Sequence, residues 1–532
     1  WDPGLVSEPS PDPTDARGPG QERPSGRALA VAGLAVGVLG LALGATAILP
    51  GLGLWDTGEL QTVGPVLGTA HPTGFPAWVV LGWLASVLLG PVGEPALRMN
   101  VLSAVLLGVA GGATTVAAGR LSGHWALGAA AGVGLVATPI AWRIGTRADV
   151  HALHLALVAV LVALLVEWAQ RHRDGAPTAA RWLVAASVVV GVALANHRLI
   201  VFLLPGVAAY VVLVDRGILR RPRLLLGLPV LALAVAALLY LELPLRAGPF
   251  RAPLVYGAPE TWEGFWYVVL GVQFGGAFTS PLGDPARFVD ELGRFLSGQL
   301  GPLAPLLLPS VVAAAVRRPA YALLTVPAAA ATWLFATSYD NADIQRYYLG
   351  PAVFAWTWLA IGAGVVVDLL VAVLRGEGGG GGRGRRLVAP VVAAAAAALL
   401  VLPSVVALPS RHDRVEGGED VVGRAWLEGA IEVLEPDAVV VSWWSYSTPL
   451  WYAQHVEGRI PGVWVVDDRT RLDEDLGSIY DVIDAHLGRR PVYAVRVEPS
   501  DLAGLVRRYR LESLPMPMGQ SLTRILEPRT DP

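Results

Sequence analysis

One uninterrupted apolar stretch, running straight into an acidic motif, decides the fold. Residues 28–50 read ALAVAGLAVGVLGLALGATAILP, and Trp55-Asp56-Thr57-Gly58-Glu59-Leu60 follows after four intervening residues. This uncharged run is longer than the roughly 20 residues that a membrane-spanning helix needs. It is also too long for the apolar core of a cleaved signal peptide. Because arginines precede it, we predict a first transmembrane helix whose N-terminus lies inside the cell.

The composition extends this pattern to most of the chain. The 532 residues are 54% hydrophobic and 16% charged, and only 40 charged residues lie between 28 and 409. So few charges cannot solvate a soluble surface, which excludes a water-soluble enzyme, a coiled coil, a collagen-like fibre and a disordered chain. The chain has no cysteine and no lysine, so thiolate and Schiff-base chemistry are excluded. The net charge of −3 does not favour nucleic acid, and arginine without lysine indicates a bacterium with a GC-rich genome.

Further apolar runs predict the remaining spans. They lie at 97–119, 124–142, 150–169, 182–196, 199–214, 224–243, 303–316, 320–337, 348–374 and 388–408, with one more at 75–90. Arginines collect in four loops, which all fall outside if every apolar run crosses the membrane, and all fall inside with the N-terminal tail if 75–90 does not cross. Because positive residues collect on the cytoplasmic side, we predict 11 transmembrane helices and a re-entrant or juxtamembrane segment at 75–90.

This topology predicts three regions. Residues 1–27 form a disordered cytoplasmic tail, residues 28–409 a transmembrane domain, and residues 410–532 a soluble extracytoplasmic α/β domain. Within the transmembrane domain we expect a first outer loop at 51–96, a large outer loop at 244–302 and a flexible cytoplasmic Gly/Arg linker at 376–386. In the last region, strands are predicted at 437–442, 463–466 and 492–495, and helices near 419–434, 447–457, 474–488 and 500–511.

Asp56 and Glu59 carry the strongest chemical signal. Three residues apart on a helix, they project from one face at the membrane surface. An aspartate there can take a proton from an attacking hydroxyl. The alternative is structural, because an acid at the helix cap with another at the third position resembles a capping box. Spacing alone leaves both interpretations open.

A second polar cluster lies between two predicted spans. Arg143, Arg147, Asp149, His151 and His154 fall within 12 residues. Arginine binds phosphate oxygens through two parallel hydrogen bonds, and it keeps its charge. The two histidines share a helix face, but a closed metal site needs more ligands. Interfacial arginines and ordinary helix-end polar residues are the alternative interpretation.

Three further outer positions are candidates. Asn196-His197-Arg198 joins two spans with almost no loop, where polar groups are costly unless they face a cavity or the surface. Gln273 lies in the large outer loop, and residues 339–348 include Asp340, Arg346 and Tyr347. A tight turn or a solvated loop would also explain these residues. Together, the polar groups of the membrane part converge on the outer face, as an anionic lipid-linked substrate requires.

The motifs resemble a known polytopic membrane family, formerly a domain of unknown function, whose animal members are protein O-mannosyltransferases. The likeness rests on Asp56 to Leu60, on Ala70-His71-Pro72-Thr73-Gly74-Phe75-Pro76, on Asp149 to His154, and on Asn196-His197-Arg198. It covers residues 28–200 well and fades beyond them. It implies a GT-C-like fold and sugar transfer from a polyprenyl-phosphate donor outside the cytoplasm.

The resemblance also implies roles for individual residues. Asp56 becomes the general base, with Glu59 and His71 beside it. Donor-phosphate candidates are Arg143, Arg147, His197, Arg198 and Arg346. Asp149 stands where we expect the family to favour glutamate, so its role stays open, as do those of His151, His154, Gln273, Asp340 and Tyr347. No metal is required if arginine carries the phosphate charge, although a divalent metal is not excluded.

The sequence therefore predicts an inverting, multi-pass membrane glycosyltransferase of the cell membrane. The candidate sugar is mannose, and the acceptor is a hydroxyl group, with a protein or a glycan as the expected partner and a lipid left open. Two alternatives stay open, namely a transporter or flippase of lipid-linked or anionic solutes, and a non-enzymatic envelope scaffold. A transporter should show paired repeats and polar residues near the bilayer midplane, which the sequence does not show clearly.

Overall fold

Helices dominate the chain. The computed structural model describes residues 24–278, 284–341, 343–375, 383–415 and 421–529. In chain order the helices are α1 Gly26–Thr46, α2 Trp55–Val66, α3 Pro76–Leu88, α4 Pro95–Ser122, α5 Trp125–Val136, α6 Pro139–Ile144, α7 Val150–Arg173, α8 Ala180–Leu194, α9 Leu204–Val214, α10 Pro222–Tyr240, α11 Glu242–Ala247, α12 Trp262–Leu270, α13 Pro285–Phe295, α14 Ala304–Arg317, α15 Pro319–Ser338, α16 Leu349–Arg375, α17 Arg383–Val406, α18 Leu408–Val415, α19 Val422–Val433, α20 Trp444–His455, α21 Asp468–Asp473, α22 Ile479–His486 and α23 Pro499–Arg508.

The membrane part matches the predicted polytopic helical fold. Within the described residues, eight helical stretches are long and apolar enough to cross a membrane, namely Gly26–Thr46, Pro95–Ser122, Val150–Arg173, Pro222–Ala247, Pro285–Arg317, Pro319–Ser338, Ile344–Leu374 and Leu387–Val406. Three other predicted spans fall on shorter apolar helices, Trp125–Val136, Ala180–Leu194 and Arg198–Val214. Helix α3, at 13 residues, is about 20 Å long and too short for a straight span. Its re-entrant placement stays a prediction.

Two predicted loops contain helices in the structure. The span expected at 303–316 coincides with α14, and the helical stretch that contains α14 begins earlier, at Pro285, and includes a π turn at Leu296–Leu300. The loop 244–302 is therefore largely helical. Residues 376–382 of the predicted linker lie outside the described residues, and helix α17 already begins at Arg383. Of the predicted tail, residues 1–23 lie outside them too, and α1 begins at Gly26 because Ser25 caps it.

Small residues let the helices of the bundle approach closely. A Cβ added to Gly108 of α4 would lie 2.5 Å from the Gly37 carbonyl oxygen of α1. A Cβ at Gly128 of α5 would lie 2.4 Å from the Thr115 carbonyl oxygen of α4. In a bilayer, such close backbone packing replaces the hydrophobic effect as the force that joins helices.

Charged side chains at one end of the bundle pair with each other. Arg120 at the end of α4 donates from Nε to Glu167 Oε1 of α7 at 2.6 Å. Arg317 at the end of α14 donates to Asp368 of α16 at 3.2 Å. Glu167 lies 17 residues beyond the start of α7, which is about 25 Å along the helix. Arg171 and Arg317, from two of the predicted arginine-rich loops, thus lie at this end, and the polar motifs 51–76, 143–154 and 196–198 lie at the opposite end.

The C-terminal region is the small α/β unit that the sequence predicts. Its strands are β1 Val439–Ser442, β2 Trp464–Val466, β3 Val492–Val495, β4 Tyr509–Leu514 and β5 Leu522–Pro528, in the sheet order β2-β1-β3-β5-β4. Strands β2, β1 and β3 run parallel, and β5 and β4 add an antiparallel edge. The sequence analysis missed β4 and β5, and the helix predicted at 500–511 ends at Arg508 because the chain turns into β4.

Candidate active site

Asp56 lies in the first turn of α2, at the end of the bundle opposite the paired arginines. Leu54 occupies the cap position and no side chain caps the helix, so the capping-box interpretation of Asp56 is wrong. The buried Gln61 of the same helix holds the preceding loop, because its Oε1 accepts from Gly53 N at 2.8 Å and its Nε2 donates to Asn100 Oδ1 at 2.9 Å. These hydrogen bonds anchor α2 to the preceding loop and to α4. The Asp56 side chain takes no part in capping the helix.

Two donors from distant parts of the chain hold the Asp56 carboxylate. Arg346 donates from Nη2 to Oδ2 at 3.2 Å, and Trp444 donates from Nε1 to Oδ1 at 3.3 Å. The Asp56 side chain nevertheless keeps 33% of its surface exposed, whereas that of Arg346 keeps 16%. The carboxylate is therefore oriented and still accessible, as a group that meets substrate must be.

Glu59 acts on His71 rather than on a substrate. Its side chain is fully buried, and Oε1 accepts from the His71 backbone N at 2.6 Å. Its other oxygen pairs with His71 Nδ1, so both carboxylate oxygens are committed to that residue. The His71 ring meets the ring edge of Trp444 at a centroid distance of 5.8 Å. Glu59 thus fixes His71 beside Asp56.

The charges of this group keep Asp56 ionised. Burial alone would raise the pKa of the Asp56 carboxyl, but the positive charges of His71 and Arg346 outweigh it, so the pKa lies below its ordinary value. Burial alone would lower the pKa of the His71 imidazole, but the Glu59 carboxylate outweighs it, so the pKa is raised. At neutral pH, Asp56 is therefore a proton acceptor.

Asp149 connects the second motif to the first. It caps α7 by accepting from His151 N at 2.8 Å, and the same oxygen contacts His151 Nδ1 at 2.8 Å. Its second oxygen lies 3.9 Å from Arg346 Nη1. Arg346 therefore bridges Asp56 and Asp149, which the chain separates by 93 residues. Asp149 therefore contacts His151 and lies within ion-pair distance of Arg346.

Three histidines line the same region. The ring centroid of His197 lies 4.6 Å from that of His151 and 5.8 Å from that of His154. The Tyr347 ring stacks on His151 at 5.4 Å. Within the described residues, His151 Nε2 and His154 Nδ1 are buried without a hydrogen-bond partner. Burial holds the pKa of His197 well below its ordinary value, so this imidazole is neutral.

The histidines do not assemble into a metal centre. In the part of the chain that the structure describes, no group of three or more His, Asp or Glu side chains has a geometry that holds a metal ion. The free ring nitrogens are instead suited to hydrogen bonds with hydroxyl or phosphate oxygens of a ligand.

The candidate arginines differ in their partners. Arg346 lies among Asp56, Asp149 and Asp343, so carboxylates already compensate its charge. Arg143 pairs with Asp343 at the edge of this network. Arg198 is exposed and donates to the Leu270 carbonyl oxygen; none of the described carboxylates pairs with it. Arg147 is half-buried two residues before Asp149.

Two predicted positions do not join the cluster. Gln273 is exposed in the 3₁₀ turn Val272–Ala277. The Asp340 side chain is 81% exposed, and its nearest cation is Arg287, at 3.9 Å. Among the described residues, no hydrogen bond joins either side chain to Asp56 or Asp149. Both are solvated loop residues, the structural alternative that the sequence left open.

Sequence reasoning missed Trp444, which the C-terminal domain supplies. A usable signal was present, because Trp443-Trp444 directly follows strand β1, and ligands meet parallel sheets at the carboxyl ends of their strands. Tyr256 was missed as well. Its buried ring packs against Trp444 at a centroid distance of 5.9 Å.

This fold is that of the GT-C membrane glycosyltransferases. ArnT from Cupriavidus metallidurans bound to undecaprenyl phosphate superposes with a TM-score of 0.60 at 18% identity, over 92% of this chain and 97% of that chain. The archaeal oligosaccharyltransferase AglB from Archaeoglobus fulgidus, in complex with an inhibitory peptide and a dolichol-phosphate, superposes with a TM-score of 0.52 at 13% identity. That match covers 87% of this chain and 69% of AglB.

Within this class, one family matches by sequence. Residues 56–217 match the family described as "Protein O-mannosyl-transferase TMEM260 N-terminal domain". Protein O-mannosyl-transferase TMEM260 of Mus musculus is 30% identical over 215 residues, which are 40% of this chain and 29% of the mouse protein. The chain thus matches less than a third of that relative's length. The resemblance to an O-mannosyltransferase-like GT-C family is confirmed, and the matched segment contains Asp56, His71, Asp149 and His197.

Proposed function

We propose that this protein is an integral-membrane glycosyltransferase. It moves a sugar from a polyprenyl-phosphate donor to an acceptor hydroxyl on the extracytoplasmic face, and mannose is the candidate sugar. The observation that carries the proposal is the Asp56 carboxylate, ionised, oriented by two donors and one-third exposed. The neutral imidazole of His197 lies on the same end of the bundle, and so does Arg198, which pairs with none of the described carboxylates.

Asp56 acts as the general base. The acceptor hydroxyl donates its hydrogen to the carboxylate while its oxygen attacks the anomeric carbon. The bond between that carbon and the phosphate oxygen breaks, and the lipid phosphate leaves with the bonding electron pair. The new bond forms on the face opposite the leaving group, so the anomeric configuration inverts.

Arg198 is the leading candidate for the donor phosphate. It is exposed, and its charge faces no carboxylate among the described residues. Its guanidinium lies beside Gly271, which Thr73, in the loop that carries His71, also approaches. Its contact with the Leu270 carbonyl leaves other guanidinium donors for phosphate oxygens. Arg346 instead holds Asp56 and Asp149, and Arg143 holds Asp343. The leaving phosphate would gain stabilisation from Arg198 and from the histidine nitrogens.

Three compared proteins support the substrate classes. ArnT was crystallised with undecaprenyl phosphate, which is consistent with a polyprenyl-phosphate donor here. The mouse relative is named a protein O-mannosyl-transferase, and AglB binds an inhibitory peptide. A hydroxyl on a protein is therefore the first acceptor to examine, followed by a glycan.

The direct test is sugar transfer by purified protein in lipid nanodiscs. Donors would be polyprenyl-phosphate mannose and polyprenyl-phosphate glucose, with envelope proteins and glycans as acceptors. We expect Asp56→Asn to lower turnover by roughly 100-fold or more, since general bases contribute factors of this size. Asp340→Asn is the matched control, because it removes an exposed carboxylate of the same bundle end. Flux of lipid-linked sugar in proteoliposomes without transfer would contradict the proposal and favour the transporter alternative.

We also propose the sidedness. The arginine-rich end faces the cytoplasm, and the Asp56 end and the C-terminal domain face the outside of the plasma membrane. The clustering of Arg120, Arg317 and their carboxylate partners at the opposite end from Asp56 supports it. Labelling of single cysteines with a membrane-impermeant maleimide tests it, since the native chain has no cysteine. Exposure of a cysteine at Arg459 only after lysis would contradict it.

A further inference from the structure

The C-terminal domain lies directly on the helix that carries Asp56. Helix α20 packs along α2 so closely that a Cβ added to Gly58 would lie 2.7 Å from Thr448 Oγ1. Four residues earlier on α20, the Trp444 indole donates to Asp56 Oδ1 at 3.3 Å. One glycine therefore allows the approach that brings Trp444 to the carboxylate.

Aromatic rings from three parts of the chain hold Trp444. Its ring meets the edges of Trp451 at 5.7 Å, His71 at 5.8 Å and Tyr256 at 5.9 Å. Tyr256 is itself fixed, because Thr69 Oγ1 accepts from its backbone N at 2.7 Å and the Arg469 guanidinium lies 3.2 Å from its ring centroid. Such edge-to-face contacts restrict the indole to one orientation.

Polar contacts fasten the domain around this point. Tyr452 Oη accepts from Ala96 N at 3.1 Å, and Arg424 pairs with Glu94 of the outer loop. On another side, Asp473 accepts from Gly257 N at 3.1 Å. The domain is thus attached to both outer loops, and Trp444 lies between these attachments.

We propose that Trp444 is a positioning residue for Asp56, which makes the C-terminal domain a part of the active site. The proposal rests on the proposed function. Arg346 of the transmembrane domain holds one carboxylate oxygen, and Trp444 of the C-terminal domain holds the other. Together they fix the plane of the carboxylate and direct its exposed surface to the acceptor hydroxyl. A base held in one orientation needs no reorganisation as the proton arrives.

The indole also bears on the protonation of Asp56. The charged groups facing this carboxylate are His71 and Arg346, which favour its ionised form, and Asp149, which opposes it. Glu59 acts through His71, and the Tyr347 phenol lies on the same element as Arg346. From α20, the described contact is the uncharged Trp444 N–H. Because that N–H donates to the ionised carboxylate, its removal raises the pKa of Asp56.

The test compares two adjacent tryptophans. W444F removes the N–H and keeps an aromatic ring. W443F is the matched control, since the Trp443 indole packs under Arg496 and makes no bond to Asp56. Both variants would be measured in the full chain in nanodiscs, with melting temperature as the check on folding.

Three readouts are expected to separate the variants. In W444F, turnover falls roughly 3- to 30-fold at neutral pH, which is the size of effect expected when a hydrogen bond to a charged group is lost. The KM for the donor stays within about twofold, since the donor site is untouched. The acidic limb of the pH profile moves to higher pH. W443F matches the wild type in all three.

Labelling of Asp56 with dicyclohexylcarbodiimide, which modifies protonated carboxyl groups, gives a readout that needs no transfer. Peptide mass spectrometry should show that half-maximal labelling of Asp56 moves to higher pH in W444F and not in W443F. A shift in labelling in a protein that transfers no sugar would defeat the proposed function and leave the positioning intact. Wild-type turnover, pH profile and labelling in folded W444F would overturn the inference, and so would equal losses in W443F and W444F.

Discussion

The two ends of helix α7 hold charge in different ways. Near its end, Glu167 pairs with Arg120 at 2.6 Å and with Arg171 at 3.5 Å. At its start, Asp149 shares Arg346 with two other carboxylates, one of which, Asp56, stays one-third exposed.

The difference between the Glu167 end and the Asp149 end of α7 distinguishes two uses of charge. Where each acid has its own cations, the pairs tie the helices of the bundle together. Where several acids share one arginine beside buried histidine nitrogens without partners, the site keeps polar atoms available for a ligand. Separate ion pairs and a shared arginine thus occupy opposite ends of one helix.

Removal of the shared arginine, Arg346, should have the largest effect on turnover. Arg346→Gln leaves Asp56, Asp149 and Asp343 without their common cation, so their repulsion disorders the base. We expect turnover to fall at least roughly 100-fold. Arg120→Gln, at the other end, should lower the melting temperature and keep the turnover of the folded fraction within about threefold. Initial rates per folded molecule check this, and equal losses in the two variants would count against separate roles for the two ends.

Arg198 should control donor binding rather than chemistry. We expect Arg198→Gln to raise the KM for the polyprenyl-phosphate sugar roughly 10-fold, with kcat within about threefold, because a phosphate contact is lost. Arg251→Gln is the control, as an exposed outer-loop arginine that lies 3.5 Å from Glu260. Steady-state kinetics at two salt concentrations measure both. A normal KM in R198Q would remove Arg198 from the donor site.

The Glu59–His71 pair should appear in the pH dependence of stability. Since Glu59 raises the pKa of His71, the folded state gains stability that is fully present below the ordinary histidine pKa and is lost as the pH rises through the raised value. Glu59→Gln should remove this step and lower the melting temperature by roughly 2 °C at pH 6. Melting curves from pH 6 to 9 show the effect, and parallel curves for the two proteins would show that the pair does not titrate.

The smallest effects are expected at the loop positions. Gln273→Ala and Asp340→Asn alter exposed side chains outside the cluster, so turnover and KM should stay within about twofold of the wild type. The transfer assay above measures both. A loss of 10-fold or more in either variant would extend the site into these loops.

Much of the site could be predicted because the order of the helices fixes the membrane face on which each connecting loop lies. Asp56, Asp149 and His197 each stand beside the end of a predicted span, so counting the spans places them on one face. The same reasoning covers Arg346, which precedes α16. Apolar runs and arginine loops were sufficient for this part, since the bilayer imposes a length on each helix.

The parts that could not be predicted depend on contacts without a local pattern. Trp444 reaches Asp56 across 388 residues, through the docking of one domain on another. Gln273 and Asp340 are polar loop residues, and polarity alone does not fix the direction of a side chain. Strands β4 and β5 were missed because charged residues such as Arg510, Glu512 and Arg524 stand within them, so that neither strand contains a long apolar run.

The most direct test of the central claim is an electron cryomicroscopy map of the protein in nanodiscs with a non-hydrolysable polyprenyl-phosphonate sugar. We predict that the phosphonate lies within hydrogen-bond distance of Arg198 and that the anomeric carbon faces the exposed side of Asp56. Density for the phosphonate at the end of the bundle that carries Arg120 and Glu167, with none beside Arg198 and Asp56, would contradict it.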